Sequence, residues 1–343
     1  MYKRQGYYHV RAPENCTGYV YRNRVRLRNA ELPAWARSIP TGGGGTTHSA
    51  GDGRIGVCSF NIKWLGHYTR KDHQELARML SAYDLVVVQE LIAPPRDVTT
   101  ATGTIPADPQ GAEFFQLMAE YGFRDALSER GTGKSEPASG VTAHEWPVVF
   151  YRDDELVYDP VHSGFVSSPV AANPDFDRVP RAFHFTTRDG TLDFTVINAH
   201  LKASANQAAG RKIELAKIAQ WCNADAASTG EQDHLIVGDL NIQSSGELAN
   251  ALPAGFVSLN STPLFTNLIG TAPYDHVLYR TNTTTSDIDL DAGFTVLDLK
   301  ERMRTTWRFS IPYPDDQNSL FEQYYSDHEP VVFQLKYGNS DDD

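Results

Sequence analysis

The sequence predicts an α/β protein in which mixed sheets pack under outer helices. Three observations carry that prediction. From Gly53 onward, strand-like and helix-like patterns alternate along the chain. Both kinds of strand occur: continuous apolar runs such as Leu85-Val86-Val87-Val88, suited to burial on two faces, and alternating runs such as Phe183-His184-Phe185, suited to one. Finally, carboxylates, amides and histidines gather where the apolar runs stop.

Taken in order, residues 1–54 read as a separate basic arm ending in a Gly-rich linker, with partial disorder expected. Met1–Gln5 shows no helix or strand logic, whereas Tyr21–Arg28 places arginines on one face and mostly apolar groups on the other. That face is either the solvated side of an edge strand or a ribbon that contacts phosphates. Gly42–Thr47 forms the linker. Residues 55–337 then make one globular domain, and 338–343 an acidic tail. Its strands are expected at Ile55–Ile62, Asp84–Gln89, Pro147–Arg152, Ala182–Thr187, Leu192–His200, His234–Gly238, Tyr274–Arg280 and Val331–Lys336. Helical periodicity covers Lys71–Ser81, Gly111–Tyr121 and Asn206–Asn223. Alternating strands and helices of this kind imply sheets covered by helices.

Composition narrows the class. Of 343 residues, 41% are apolar and 11% aromatic, ample for a packed core. No apolar run approaches transmembrane length, and the first thirty residues lack a signal-peptide apolar core. The expectation is therefore a soluble, cytoplasmic monomer without stable membrane association. Secretion stays open if the N-terminus is truncated. The three cysteines, Cys16, Cys58 and Cys222, are too far apart for a disulfide framework or a paired-cysteine metal site. The net charge of −12 is uneven, with nine basic and three acidic residues up to Arg54 against 22 and 40 beyond it. An acidic body disfavours tight nonspecific polyanion binding but leaves a metal-assisted nuclease open.

The strand-end polar groups are the candidates for chemistry. Ser326-Asp327-His328-Glu329-Pro330 sets a carboxylate and an imidazole ahead of the last apolar run. Glu90 closes Val86-Val87-Val88-Gln89, where an unpaired buried carboxylate is costly and calls for a cation or an open cleft. Asp239 and Asn241 end Ile236-Val237-Gly238 and can serve one oxygen-rich site, although Gly-Asp-x-Asn is also good Asx-turn chemistry. Asn61, Asp275 and His200 sit at other strand ends, and Glu145 precedes the strand at Pro147. Each alone has an ordinary structural reading. Together they describe a site for a divalent cation and a phosphate.

Their order carries a resemblance. The motifs Ser59-Phe60-Asn61-Ile62-Lys63-Trp64-Leu65-Gly66, Val86-Val87-Val88-Gln89-Glu90, Val148-Val149-Phe150-Tyr151-Arg152, Asn198-Ala199-His200-Leu201-Lys202, Val237-Gly238-Asp239-Leu240-Asn241, Tyr274-Asp275-His276-Val277 and Ser326–Pro330 resemble the endonuclease/exonuclease/phosphatase superfamily, closest to its pancreatic-type deoxyribonuclease branch. The resemblance spans about Ile55 to Lys336 and implies a four-layer α/β sandwich of two packed mixed sheets flanked by helices. It implies Glu90 as principal metal ligand with Asn61 beside it, Asp327 as a metal-side carboxylate, and Asp239 and Asn241 as holders of the phosphate and its attacking water, with Asp239 a candidate ligand of a second ion. His328 oriented by Asp275, and His200 paired with Glu145, are the implied acid–base groups. Arg178, in Phe176-Asp177-Arg178-Val179-Pro180, resembles a phosphate-binding arginine. The departures are Lys63, where abasic-site endonucleases carry an acid, and Ile92 and Ala143, where pancreatic deoxyribonuclease carries DNA-contacting side chains.

The function implied is metal-dependent phosphodiester hydrolysis with Mg²⁺ or Mn²⁺ as cofactor, Ca²⁺ being a further candidate. The expected substrate is nucleic acid, DNA ahead of RNA. The competing readings are a hydrolase of an inositol phosphate or sphingomyelin-type lipid and, more remotely, an inactive binding module. No exposed aromatic hairpin or apolar run is visible that would engage a membrane.

Overall fold

The computed structural model describes residues 53–100, 103–132, 144–281 and 284–338, together with the backbone of three short strands near the N-terminus. Those strands, β1 (Lys3–Arg4), β2 (Tyr7–Arg11) and β3 (Thr17–Tyr21), form an antiparallel meander. The expectation that Met1–Gln5 lacks strand logic thus fails at Lys3–Arg4, which pairs with Tyr7 and Tyr8. Arg22–Arg28, the Gly42–Thr47 linker and the tail beyond Gly338 lie outside the described residues. The chain divides into two compact units, Met1–Gly44 and Gly45–Asp343.

The second unit opens with β4 (Arg54–Leu65), β5 (Leu85–Leu91), the small β6–β7 hairpin (Val98–Thr100, Gly103–Ile105), β8 (Phe123–Leu127) and β9 (Val148–Arg152). It continues with β10 (Leu156–Phe165), β11 (Arg181–Thr187), β12 (Asp193–His200), β13 (His234–Asp239), β14 (Phe256–Ser258), β15 (Asp275–Arg280), β16 (Thr295–Val296) and β17 (Val331–Lys336). Two six-stranded sheets result, ordered β16-β17-β4-β5-β9-β8 and β10-β11-β12-β13-β15-β14. Each sheet is antiparallel except for one central parallel pair, β4 with β5 and β12 with β13. A parallel pair needs a crossover. The helices His73–Leu80 and Ala208–Thr229 lie in those two connections.

Three apolar layers hold the sandwich together. Val57, Val87 and Val149 from one sheet meet Phe183, Val196 and Val237 from the other. Outside the first sheet, Phe60 and Val86 pack with Leu76, Phe114 and Phe321; outside the second, Ile197 and Ile236 pack with Leu215 and Ile218. The architecture is a four-layer α/β sandwich. Helix starts follow local chemistry: Asp72 and Asp108 cap the helices His73–Leu80 and Pro109–Glu120 through their side chains, and Pro109 stands where a missing N–H costs nothing.

Expected and observed elements differ mostly at ends and edges. β4 runs past Ile62 to Leu65 through a register shift after Asn61. The expected helix at Asn206–Asn223 runs as Ala208–Thr229, ended by left-handed Gly230. β10 is absent from the sequence reading because it is an edge strand. It is mostly solvated, interrupted by Pro160, and bulged between Asp159 and Gly164, so it shows no clean alternation. The helices Ser245–Ala251, Leu299–Thr306 and Asn318–Tyr324 are two turns or so long, too short to display periodicity.

Candidate active site

The two parallel pairs place four strand ends at one rim of the sandwich. β4 delivers Asn61, β5 Glu90, β12 His200 and β13 Asp239. The antiparallel neighbours start where these end, so Asp275 at the head of β15 stands opposite Asp239 in register. His328 precedes β17 and is held by a bridge to Asn267, and Glu145 precedes β9 in a bridge to Thr132. Open α/β sheets collect ligands outside the carboxyl ends of their parallel strands for this reason.

Backbone strain marks the same rim. Glu90, Asn241, Lys63 and Trp64 all have φ between 51° and 63°, where side chains other than glycine are uncommon. At Lys63 and Trp64 the chain bulges out of β4. Asn61 Oδ1 accepts the Lys63 N–H at 3.0 Å, and Glu90 Oε2 accepts the Trp64 N–H at 3.1 Å. Gly238 is required for another reason. A Cβ there would stand 2.2 Å from the Ala199 carbonyl oxygen, with φ at +139°. Its absence lets β12 and β13 close up beneath His200 and Asp239.

One oxygen organises the site. Asp239 Oδ2 lies 3.0 Å from Asn61 Nδ2, 3.4 Å from His200 Nε2 and 3.5 Å from His328 Nε2. Asn61 Nδ2 also donates to Glu90 Oε1 at 2.9 Å, so the amide bridges two buried carboxylates. His328 Nδ1 lies 2.8 Å from Asp275 Oδ2, and His200 Nδ1 lies within 3.0 Å of both Glu145 oxygens. Asn241 donates its backbone N–H to Asp239 Oδ1 at 2.9 Å and its amide to the Leu201 carbonyl at 3.1 Å. The Asx turn and the oxygen-rich site are thus one feature, not alternatives.

Below the rim the two sheets are latched by amides. Gln89 Nε2 donates to Asn198 Oδ1 at 3.0 Å, and Asn198 donates to the carbonyls of Val88 and Val148 at 2.9 and 3.2 Å. Such a buried network is costly where unsatisfied; Gln89 Oε1 has no hydrogen-bond partner among the described residues, and the bonds that are made tie β5 and β9 to β12.

Charge in this pocket is unbalanced. Burial and the neighbouring Glu145 and Asp327 hold Glu90 above the ordinary carboxylate range, against the opposing pull of His200 and Asn61. Burial also raises Asp275. Burial by itself would push the His328 imidazole down, but Asp275 and Asp239 together raise it well above its ordinary value. His200 is opposed by burial and Arg178, yet Glu145 and Asp239 bring it up. Glu145 resists burial because His200 and Arg178 hold it below the usual range.

Three expected residues also make contacts that the sequence did not suggest. Asp327 accepts from Lys63 Nζ at Oδ2, its Oδ1 is buried with no hydrogen-bond partner among the described residues, and it stands outside the compact group of Glu90, His200 and Asp239. Asn61 turns its amide donor toward both carboxylates while its oxygen takes the bulge N–H, and so clamps the two acids together. Arg178 reaches Glu145 Oε1 at 3.2 Å and the carbonyls of His200 and Leu201. It braces the wall of the cleft, with Nη1 making no hydrogen bond among the described residues. The sequence reading passed over Ser326, whose Oγ donates to the Asn61 carbonyl at 2.6 Å and accepts from the His328 N–H at 3.0 Å. It also passed over Thr266, whose Oγ1 accepts the Asp275 N–H at 2.9 Å. Leu264, Phe265 and Ile269, 49 to 60% exposed, flank Thr266 and Asn267 beside the site. No run of apolar residues announces them.

No protein-family profile and no curated protein sequence matches the chain. Solved structures do. D. rerio TDP2 complexed with single-strand DNA product is 15% identical with a TM-score of 0.51, over 83% of this chain and 100% of that one. The human Nocturnin catalytic domain is 14% identical at TM-score 0.51, over 83% and 94%. A Bacteroides thetaiotaomicron mannosyl-6-phosphatase is 15% identical at TM-score 0.51, over 82% and 100%. A Bacteroides vulgatus protein described as an endonuclease/exonuclease/phosphatase gives 13% and 0.52, over 83% and 99%. The fold of this chain is the endonuclease/exonuclease/phosphatase fold.

Proposed function

We propose that the chain is a divalent-metal-dependent phosphodiester hydrolase that cuts nucleic acid, DNA ahead of RNA, by in-line attack of a water activated at His328. The observation that best supports this is the focus of Asn61, His200 and His328 on Asp239 Oδ2, next to a second buried carboxylate. Glu90 is 8% exposed, and among the described residues no Lys, Arg or His comes within ion-pair distance of it. Glu90, a buried carboxylate joined to Asp239 by a neutral amide and without an ion-pair partner of its own among the described residues, calls for a cation. The hard oxygens of the two carboxylates suit Mg²⁺ or Mn²⁺.

Glu90 and Asp239 would hold the ion, which when bound supplies neutralisation of charge developing on the phosphoryl oxygens. The remaining roles belong to the chain. Asp275 fixes His328 Nδ1, leaving Nε2 to take the proton of the attacking water, a role typically worth about 10²–10⁴-fold. His200, backed by Glu145, donates to a phosphoryl oxygen or to the leaving oxygen. Asn241 and Arg178 present a neutral and a charged donor toward non-bridging oxygens.

The single-strand DNA product carried by the D. rerio TDP2 structure of the same fold supports the nucleic-acid reading. A second reading, a phosphate ester with an apolar portion, is favoured by exposed Leu264, Phe265 and Ile269 beside His328. Incubation with Mg²⁺ or Mn²⁺ and plasmid, single-stranded DNA, RNA, inositol phosphates or sphingomyelin separates them. Turnover of DNA or RNA is expected; turnover of only a small or lipid phosphate would replace the first reading with the second.

A further inference from the structure

A polar row crosses the outer face of the second sheet near its far end. In register across four strands stand Asp159, His184, Thr195 and His234, on β10, β11, β12 and β13. This is the face that elsewhere carries Ala182, Ile197 and Ile236 against the helix Ala208–Thr229. The row lies toward the starts of β12 and β13, whereas His200 and Asp239 lie at their ends. Five strand residues at about 3.3 Å each put the two places roughly 17 Å apart.

We propose that His184, Asp193 and Glu231 in this row's neighbourhood form a second divalent-metal site, independent of the catalytic one, for an ion of the zinc type. Each offers one donor atom, and the three atoms all lie within 4.8 Å of one another. Glu231 Oε2 stands 3.5 Å from the His184 ring at Nδ1, the nitrogen that Thr195 holds, and the nitrogen left to ligate, Nε2, stands 3.8 Å from Asp193 Oδ2. The second separation is too long for a hydrogen bond and too short for an intervening water. It is close to the spacing of about 3.3 Å between two donors on one tetrahedral ion with bonds of about 2.0–2.2 Å.

The surroundings fit. His184 and Glu231 have side chains only 12% and 3% exposed, while Asp193 at 35% leaves a way in and can rotate to close the remaining gap. Thr195 Oγ1 lies 3.1 Å from His184 Nδ1 and orients the ring, the usual office of a group behind a ligating histidine. His162, on the bulge of β10, packs its ring against His184 at 5.8 Å. One imidazole with two carboxylates selects a Zn²⁺-like ion over Mg²⁺, which prefers oxygen alone and keeps its waters. A bound ion would join β11, β12 and the turn before β13 at the end of the sheet away from the chemistry.

The test is calorimetric titration of Zn²⁺ into the metal-stripped full chain, with His184→Ala, Glu231→Gln and Asp193→Asn as variants. Wild type should take up two equivalents, one at the catalytic carboxylates and one that His184→Ala weakens at least 100-fold and Asp193→Asn about tenfold. Turnover with Mg²⁺ should be unchanged in both. The second equivalent should survive Glu90→Gln, which separates it from the catalytic ion. If His184→Ala fails to fold, Asp193→Asn decides the matter from its third-exposed position. Zn²⁺ stoichiometry and affinity unchanged in Asp193→Asn, or no equivalent remaining in Glu90→Gln, would overturn the proposal.

Discussion

At the scale of single residues, Asp239 Oδ2 is the shared contact of an amide and two imidazoles. Removing it leaves Asn61, His200 and His328 without a common partner, so Asp239→Ala should lower kcat at least 10²-fold. His328→Ala should do the same, with circular dichroism unchanged in both; near wild-type turnover in either would remove the assigned roles. The base role proposed for His328 predicts a pH dependence. A base must be neutral to take a proton, and Asp275 with Asp239 raises the His328 pKa against the opposing effect of burial. Activity should therefore rise with pH along a limb placed above the ordinary histidine range. Asp275→Asn removes one of the raising charges, so the limb should move to lower pH while kcat falls. A limb that stays in place, read from kcat against pH, would separate Asp275 from His328.

At the scale of elements, the latch between sheets and the segment before β17 are the points where stability and site meet. Asn198→Ala strands Gln89 and the carbonyls of Val88 and Val148, and should cost about 3 kcal/mol in urea melts. A loss below about 0.5 kcal/mol would show the latch to be dispensable. Gly238→Ala drives a methyl into the Ala199 carbonyl at a left-handed backbone position and should cost at least about 3 kcal/mol. Glu329, which accepts the Leu299 N–H at 2.5 Å, is pushed by burial from an ordinary 4.5 up to about 7. An acid whose folded pKa is raised holds a proton in the fold that the unfolded chain has released. Its stability contribution is complete below pH 4.5 and lost as pH rises through about 7, at most about 3 kcal/mol. Relative to Glu329→Gln, wild type should weaken across that window. A difference between the two that does not vary with pH would contradict the raised value.

At the scale of the whole molecule, the charge of the first unit predicts a measurable effect on substrate affinity. Eight Lys and Arg against two Glu stand in residues 1–44. If they meet phosphates, deleting 1–44 should flatten the dependence of log Kd on log salt for DNA while Mg²⁺-dependent turnover of a short substrate persists. An unchanged slope would remove the arm from binding. No helix among the described residues is long and apolar enough to cross a membrane.

The alternation of strands and helices, the two styles of strand and the polar groups that end them were all readable in order along the chain, because burial imposes its period on local sequence. The same reading placed Asn61, Glu90, His200, Asp239, Asp275 and His328 at strand ends, and those ends share one rim. What the linear pattern could not carry was the use each side chain makes of neighbours up to some 265 positions away. Asp327 turning to Lys63, Ser326 gripping the Asn61 carbonyl and Arg178 bracing Glu145 depend on sheet register and on a bulge after Asn61. The polar row through His184 likewise exists only once four strands lie side by side. Local sequence decides which residues reach a strand end; pairing between strands decides whom they meet there, since contact at 3 Å depends on register that no single segment contains.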